Sequence, residues 1–298
     1  MINVKITVGI PAYNEEKNIA SIIENLSKIA DTIIVCNDGS SDNTGKLAEK
    51  LGAIVINHER NLGYGAAIRS LFLRARELGS DVLVTMDSDG QHRISDVLPV
   101  AEPIIKNQAD LVIGSRFLEG NQENIPKYRK IGIKMITKLA NASLEDAVTD
   151  SQSGFRAYSK NILSTITPSE YGMGVSNEIL MKASKNGFKI AEVPIVVSYE
   201  GKTSTQHPIS HGASVTLSTL KFISIEHPLK FYGIPGLIFL GIGLIFTIMT
   251  IQAFTETRQI LLSTAVIGVG TIIFGTVLLM TSIILYSIVN LVRENSSK

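Results

Sequence analysis

Residues Val82–His92 read VLVTMDSDGQH, an apolar run that stops abruptly at two carboxylates. A short apolar run bounded by turn residues predicts a fully buried strand, and open α/β sheets bind ligands at the carboxyl ends of their strands. Asp87 and Asp89 stand two positions apart at that end, and Gly90 frees the backbone beside them. Their oxygens suit Mg²⁺ or Mn²⁺ carrying a diphosphate. The alternative is an acidic turn that caps a helix beginning near Ser95.

Strands and helices alternate on both sides of this stretch. The apolar periodicity predicts further strands at residues 4–10, 32–36, 53–57 and 111–114. It predicts helices at residues 14–30, 42–52, 65–79 and 95–107. Pro11 is expected to end the first strand, and Asn14 to cap the first helix. This alternation implies parallel βαβ units, hence an α/β fold with a doubly wound, mostly parallel sheet.

The region that follows is less regular. Helices are predicted at Lys127–Asn141 and at Met173–Ser184, and a polar turn at Ser151–Tyr158. Pro194 interrupts the apolar run Ile190–Tyr199, which therefore reads as an edge strand or a split strand.

Composition excludes several classes of function. The 298 residues carry a formal net charge of +1, so no overall field points to nucleic acid as a partner. The single cysteine, Cys36, excludes an intramolecular disulfide framework and a Cys-rich zinc site, and its place at the end of an apolar strand predicts a buried, inert thiol. No GxGxxG follows the first strand and no GxxxxGK[ST] occurs, so neither a dinucleotide cofactor nor a P-loop is indicated.

The last third of the chain is strongly apolar. Two uncharged segments, at about 232–254 and 260–289, are each long enough to cross a bilayer core of about 30 Å. Buried core helices are the alternative, and two such segments in tandem argue against it. We expect a soluble domain at 1–208, an interfacial amphipathic helix or linker at 209–230, and a transmembrane hairpin at 231–292.

Charge asymmetry predicts the orientation of this hairpin. Cations on the side of the soluble domain are Lys221, Lys230, Arg293 and Lys298, against Arg258 alone in the connecting loop. The positive-inside rule then places the soluble domain in the cytoplasm, on a cell membrane that the chain crosses twice. Glycines at 236, 241, 243, 268, 270 and 275 pack either within the hairpin or against a second copy, so a homo-oligomer stays open.

Polar loops follow four of the predicted strands: PAYNE, NDGSSDNT, DSDGQH and GSRF. Such loops can hold a nucleotide across the crevice of the sheet. Tyr13 is suited to stacking on a base or ribose, and Glu15 and Asp38 to accepting hydrogen bonds. The alternatives are that Glu15 caps a helix and that Asp38 folds an Asx turn. Gly63 and Gly65 open a helix where an anion can approach.

Five motifs in chain order resemble those of the family 2 glycosyltransferases: Pro11–Glu15, Asp38–Ser40, Asp87–His92, Gly114–Phe117 and Ser153–Tyr158. More closely, the chain resembles the dolichyl-phosphate mannose synthase group and its archaeal polyprenyl-phosphate-sugar relatives, over about residues 4–200. The resemblance implies a GT-A fold, a nucleotide-sugar donor, Mg²⁺ or Mn²⁺, and a polyprenyl (dolichyl) phosphate acceptor in a lipid bilayer. The appended membrane hairpin is also seen in that group.

The resemblance assigns roles to residues by their place in the motifs. The nucleotide-sugar positions are matched by Pro11, Tyr13, Glu15, Asp38, Asp87 and Ser88. The metal ligands are matched by Asp87, Asp89 and Gln91. The acceptor phosphate is matched to Arg116 and, more loosely, to Arg129. The implied catalytic set is Asp89, Arg116 and Lys202, with Lys202 meeting the leaving diphosphate.

The sequence differs from the mannose synthases at two places that affect the prediction of the sugar donor. Asn37 replaces the first Asp of the usual DDGS, and Asp38 remains. The loop at residues 199–205, YEGKTST, offers Lys202 as its only cation, which argues against GDP-mannose. Residues 204–212, STQHPISHG, are more similar to archaeal relatives that use UDP-sugars, so a donor such as UDP-GlcNAc or UDP-Glc is favoured.

These features predict a membrane-bound glycosyltransferase that moves a hexosyl unit to polyprenyl phosphate with inversion. The first alternative is a family 2 enzyme that extends a lipid-diphosphate-linked glycan or another membrane acceptor. Processive members typically carry more spans and a QxxRW motif, and this chain has no Trp. A non-catalytic scaffold would have lost the acidic motif, which is intact, and a nucleotidyltransferase would carry a Gly-rich, basic first loop, which is missing.

Overall fold

The computed structural model describes residues 4–118, 127–141, 144, 146–197, 217, 220, 224–225 and 227–296. Two compact units make up the chain, residues 1–219 and residues 220–298. The first unit is built around a sheet with strands β1 (Ile6–Ala12), β2 (Thr32–Asn37), β3 (Ile54–Asn57), β4 (Val82–Thr85), β5 (Leu111–Ser115), β6 (Arg156–Ser159) and β7 (Ile190–Pro194).

The strands lie in the order β3-β2-β1-β4-β6-β5-β7. Strand β6 runs antiparallel to both of its neighbours, β4 and β5, and the other pairs are parallel. The predicted α/β class with a mostly parallel sheet is therefore confirmed. Strand β7 lies at one edge, as the interrupting proline indicated.

Helices cover both faces of the sheet. They are α1 (Ile19–Leu26), α2 (Thr44–Lys50), α3 (Tyr64–Glu77), α4 (Val97–Ile105), α5 (Lys127–Asn141), α6 (Lys160–Thr165) and α7 (Val175–Lys185). One hydrophobic core lies between the sheet and helices α1, α2 and α4, and the other between the sheet and α3, α6 and α7. Burial on both faces explains why the central strands read as continuous apolar runs.

The predicted polar turn at Ser151–Tyr158 is wrong in its second half, which forms β6. This strand pairs with β4 through Val84 and Ala157 and with β5 through Val112 and Ala157. All four of its residues are buried, including Arg156. A four-residue strand that begins with a buried cation has no apolar run, and so its sequence resembles a turn.

Two predictions about the first loop are also wrong. Pro11 does not end β1, which continues to Ala12 and pairs there with β2. The ladder between β1 and β4 ends at Gly9, so the missing N–H of Pro11 breaks no bond on that side. Asn14 does not cap α1, which begins at Ile19; it adopts a φ of +57° and accepts a hydrogen bond from the Ser41 N–H (2.8 Å).

The second unit contains two long helices, α8 (Ile234–Thr257) and α9 (Leu262–Ser296). With the π-helical turn before α8, the apolar lengths are Leu229–Thr257 and Leu262–Val289, each long enough to cross a membrane. Only 11% of the most apolar window of each is buried, which argues against core helices of a soluble protein. The predicted domain boundary at 208 and the interfacial helix at 209–230 lie mostly outside the described residues.

Candidate active site

The acidic loop after β4 is anchored at the carboxyl edge of the sheet. The Ser88 hydroxyl donates to the Pro11 carbonyl (2.9 Å), and the Thr85 hydroxyl donates to the Gly154 carbonyl (2.8 Å). The loop is thereby tied to β1 on one side and to the segment before β6 on the other. Three of the predicted nucleotide-sugar residues, Pro11, Asp87 and Ser88, come together at this point.

The Asp87 carboxylate lies among side chains from other parts of the chain. His92 Nε2 is 3.5 Å from Asp87 Oδ2, and the Tyr64 hydroxyl faces the same carboxylate beside Gly154. A Cβ added to Gly154 would lie 3.0 and 3.1 Å from the two Asp87 oxygens, so glycine keeps this space open. Burial raises the pKa of Asp87, but the hydrogen bonds and charges of His92, Tyr64 and Arg116 outweigh it and hold the pKa below its usual value.

Asp89 and Glu15 add two further carboxylates. The Gln91 main-chain N–H donates to Asp89 Oδ1 (3.0 Å), and the Asn18 amide donates to Glu15 Oε2 (2.8 Å). Burial, together with the charge of Asp87, raises the pKa of Asp89. Burial and the charges of Asp89 and Asp87 also raise the pKa of Glu15. The negative groups thus repel one another, which favours a cation between them.

A divalent cation fits this donor set. Within the described part of the chain, no three His, Cys, Asp or Glu side chains converge closely enough to enclose a metal by themselves. Asp87 and Asp89 would therefore share the ion with Gln91, substrate phosphate and water, which is the usual arrangement for Mg²⁺. The ligand set itself stays a prediction.

Asp38 is buried, and its carboxylate contacts residues of the segment that follows β3. Its carboxylate lies 2.6 Å from His58 Nδ1 and accepts the main-chain N–H groups of Leu62 and Gly63, both at 2.9 Å. His58 continues the chain of contacts to the Ser70 hydroxyl (2.9 Å). An ionised carboxylate has about four acceptor positions, so these three contacts leave room for the predicted nucleotide contact.

The glycines at 63 and 65 approach a neighbouring segment of backbone. Gly63 has a φ of +100°, and a Cβ on it would lie 2.6 Å from the Tyr171 carbonyl oxygen. The Gly65 N–H donates to the same carbonyl (2.8 Å). The two glycines therefore allow the turn to pack against the main chain of Tyr171. Tyr64 lies between them in the sequence, so this packing also fixes the direction of Tyr64.

Arg116 is held by a buried partner. Its Nε and Nη2 lie 2.7 and 2.8 Å from the two oxygens of Asp150, and its main-chain N–H donates to Asp150 as well (3.2 Å). Burial raises the pKa of Asp150, but the Arg116 guanidinium outweighs it, so the carboxyl has a lowered pKa. The Asp150 N–H in turn donates to Glu192 on β7 (3.1 Å). This bidentate pair fixes the plane of the Arg116 guanidinium.

Sequence reasoning missed Asp150, Arg156 and Tyr64. Arg156 is fully buried and donates to three main-chain carbonyls, those of Ser151, Ser153 and Ser176, at 2.6–2.8 Å. These bonds shape the turn that carries Gly154. Arg156 belongs to the Ser153–Tyr158 motif, so the motif pointed to this residue. The prediction of a polar turn there did not suggest that its side chain is buried.

The remaining predicted residues are less closely tied to this cluster. Tyr13 follows the end of β1 and is 43% exposed, so its ring is open to a ligand. Arg129 lies in the first turn of α5. Lys202 lies outside the described residues, as does the rest of the loop that the resemblance places at the leaving group.

Comparison with known proteins finds relatives over most of the chain. The profile described as Glycosyl transferase family 2 matches residues 7–167. A UDP-N-acetylglucosamine–dolichyl-phosphate N-acetylglucosaminyltransferase of Methanococcus voltae is 36% identical over 232 residues, which cover 70% of this chain and 89% of that protein. A dolichyl-phosphate hexose transferase of Haloferax volcanii is 32% identical over 227 residues, covering 76% and 96%.

A solved structure shares the fold. Glucosyl-3-phosphoglycerate synthase from Mycobacterium tuberculosis, in complex with Mn²⁺ and UDP-glucose, matches with a TM-score of 0.58 at 24% sequence identity. The match covers 74% of this chain and 79% of that chain. The predicted GT-A fold is thereby confirmed.

Proposed function

Because this chain belongs to glycosyl transferase family 2, as a glycosyltransferase of the dolichyl-phosphate-sugar synthase type, we propose that it transfers a hexosyl unit from a nucleoside-diphosphate sugar to a polyprenyl (dolichyl) phosphate. The product is a lipid phosphosugar for glycan assembly. One observation carries the proposal: strand β6 runs antiparallel to both β4 and β5, so the acidic loop after β4 and Arg116 after β5 lie at the same edge of the sheet, where groups suited to two different phosphates meet.

The donor lies on the acidic side of the site. Asp87, Asp89 and Gln91 would hold Mg²⁺ or Mn²⁺, and the ion would supply positive charge to the leaving diphosphate. The nucleotide-sugar contacts come from Pro11, Tyr13, Glu15, Asp38 and Ser88. Lys202 supplies a second positive charge to the leaving diphosphate.

The acceptor lies on the basic side. The guanidinium of Arg116, kept in its plane by Asp150, orients the acceptor phosphate, with Arg129 as a second cation. A phosphate oxygen is already an anionic nucleophile, so the reaction needs no strong general base. That oxygen bonds to the anomeric carbon from the face opposite the leaving diphosphate, whose bond to the carbon breaks. The anomeric configuration inverts.

Two features support the choice of donor and compartment. The Methanococcus voltae relative is named for UDP-N-acetylglucosamine, which agrees with the UDP-sugar preference inferred from STQHPISHG. Helices α8 and α9 are long enough to cross a bilayer, and the basic residues flanking them favour a cytoplasmic catalytic domain on the cell membrane.

The test uses the full chain in detergent with Mn²⁺ or Mg²⁺, a short polyprenyl phosphate and a panel of UDP-, GDP- and TDP-sugars. Mass spectrometry should detect a lipid phosphosugar from one donor, and a UDP-sugar is expected. Chelation of the metal should abolish the product. If every donor fails with the phosphate but one gives product on a lipid-diphosphate sugar, the enzyme extends a lipid-linked glycan instead.

A further inference from the structure

Tyr64 contacts the proposed metal site without being one of its predicted ligands. Its hydroxyl oxygen and the Asp87 carboxylate face the same point, because a Cβ on Gly154 would lie 2.5 Å from that hydroxyl oxygen and 3.0 and 3.1 Å from the two Asp87 oxygens. An ionised carboxylate can only accept hydrogen bonds, so the phenol is the donor. Tyr64, Asp87 and Gly154 therefore meet at one point, although 90 residues separate the first from the last.

The turn that carries Tyr64 is held at both ends. Before it, the Leu62 and Gly63 N–H groups donate to the buried Asp38 carboxylate, each at 2.9 Å. After it, the Gly65 N–H donates to the Tyr171 carbonyl (2.8 Å). These bonds fix the backbone on both sides of Tyr64, and so they limit the directions in which its ring can point.

The segment that receives this turn is itself anchored. The Glu178 carboxylate of α7 accepts the N–H groups of Ser169 (2.9 Å) and Glu170 (2.8 Å), and Lys182 pairs with it at 2.6 Å. Glu178 is only 5% exposed. The Tyr171 carbonyl thus belongs to a loop that α7 anchors through Glu178, and this loop in turn receives the turn that carries Tyr64.

We infer that Tyr64 is a positioning residue that holds the Asp87 carboxylate in the orientation that binds the divalent cation. The inference rests on the proposed function, which makes Asp87 a metal ligand. The Asp87 side chain is partly buried but still 36% exposed, so packing alone does not fix its carboxylate, and contacts with neighbouring polar groups set its orientation. In metal sites the ligating carboxylates are themselves hydrogen-bonded, and loss of such a partner typically weakens metal affinity by about 10- to 100-fold.

The experiment compares Tyr64→Phe with the wild type, as full chains in detergent. Mn²⁺ is titrated with UDP present, and again with GDP, and free Mn²⁺ is followed by electron paramagnetic resonance. Tyr64→Phe removes only the hydroxyl, so about tenfold weaker Mn²⁺ binding is expected with an unchanged melting temperature in metal-free buffer. In transfer assays the Mn²⁺ concentration for half-maximal rate should rise in parallel, while kcat at saturating Mn²⁺ stays close to wild type.

Tyr171→Phe is the matched control. It also removes a phenol hydroxyl, but the Tyr171 side chain is 55% exposed and the turn uses only its main-chain carbonyl. Its Mn²⁺ affinity should equal that of the wild type.

The outcomes separate this inference from the proposed function. Equal Mn²⁺ affinity in Tyr64→Phe and wild type would overturn the role of Tyr64 and leave the metal site intact. Equal losses in Tyr64→Phe and Tyr171→Phe would overturn it as well, since the effect would not be specific to the hydroxyl facing Asp87. If the wild type binds no Mn²⁺ with either nucleotide, the proposed metal-dependent function fails first.

Discussion

At the scale of single residues, Asp87 shows how the site depends on neighbours that are distant in sequence. Its carboxylate meets Tyr64 from the first turn of α3 and His92 from the loop after β4, and the charge of Arg116, which follows β5, helps to lower its pKa. Gly154 leaves the space in which these groups meet. A side chain larger than hydrogen at 154 would displace either the phenol or the carboxylate.

Replacement of Asp89 tests the metal assignment. Asp89→Asn keeps the size of the side chain and the acceptor for the Gln91 N–H but removes the negative charge. Transfer should fall by about a hundredfold or more, because the leaving diphosphate loses several kcal/mol of stabilisation. The measurement is product formation by mass spectrometry across a range of Mn²⁺ concentrations. Wild-type turnover in this variant would exclude Asp89 as a ligand.

Replacement of Asp150 tests whether Arg116 must be held in place. Asp150→Asn breaks one charge-assisted bond of the bidentate pair, so the KM for polyprenyl phosphate should rise about tenfold, while the KM for the donor changes little. Asp146→Asn, an exposed position in the same segment, is the control and should leave both constants unchanged. A rise confined to the donor KM would contradict the acceptor role of Arg116.

At the scale of elements, the short loops carry more of the site than the helices and strands do. The segment before α7 lies against Gly63 and Gly65, and Glu178 accepts hydrogen bonds from its backbone. Burial raises the pKa of Glu178, but Lys182, the Ser169 hydroxyl and the Glu170 N–H outweigh it, so the folded-state pKa lies below its usual value. The ionised carboxylate therefore stabilises the fold.

This shift predicts how stability depends on pH. Because the pKa of Glu178 is lower in the folded chain than in the unfolded one, its contribution is complete above the ordinary value of about 4.3 and is lost as pH falls through the folded-state value. Glu178→Gln should lower the free energy of unfolding at pH 7 by about 1–3 kcal/mol. Denaturant unfolding of both proteins from pH 7 to pH 3 should show the difference shrinking. A constant difference across that range would refute the assignment.

Some glycines of the hairpin lie against the other helix and others do not. The sequence alone does not distinguish the two kinds. A Cβ on Gly243 would lie 2.6 Å from Ile272 Cγ1 and 2.9 Å from the Gly268 carbonyl, whereas one on Gly241 meets nothing within 4 Å. Gly243→Leu should therefore separate α8 from α9 and destabilise the hairpin by about 1–3 kcal/mol. Gly241→Leu is the control and should melt like wild type in detergent. Equal melting of both variants would show that the helices do not pack through Gly243.

At the scale of the whole molecule, the chain joins a GT-A unit to two apolar helices. An acceptor with a phosphate on a long isoprenoid presents that phosphate at a bilayer surface, so an enzyme for it gains from a membrane anchor. Both ends of a two-span hairpin lie on one side of the membrane. The proposed cytoplasmic catalytic domain therefore requires the loop after α8 to face outward.

Cysteine labelling tests this topology. Burial and the charge of Asp38 raise the pKa of the only cysteine, Cys36, to about 12, so the native chain should react poorly with maleimides. Gln259→Cys places an exposed thiol in the loop after α8, and an impermeant maleimide should label it in intact cells. Ser27→Cys, exposed on the GT-A unit, should be labelled only after permeabilisation. The reverse pattern would place the catalytic domain outside.

The local pattern of apolar and polar residues predicts most of the strands and helices. The parallel strands were predictable because burial on both faces demands continuous apolar runs, and the helices because apolar residues such as Ile19, Ile23 and Leu26 recur at helical spacing. Strand β6 was not predictable from its sequence, because it begins with the buried Arg156. The guanidinium of Arg156 donates hydrogen bonds to main-chain carbonyls, including that of Ser176, which is distant in sequence. The same limit hid Asp150, whose role depends on Arg116, 34 residues away.

The α/β class, the acidic turn after β4 and the two apolar segments are readable from the sequence, because each follows from the polarity of neighbouring residues. Three contacts become visible only in the folded chain: Tyr64 faces Asp87, Asp150 holds Arg116, and the glycines at 63 and 65 meet backbone at Tyr171. These contacts join segments far apart in the chain. Their geometry depends on how the strands are ordered in the sheet and on which carbonyls and carboxylates that order brings within hydrogen-bond reach.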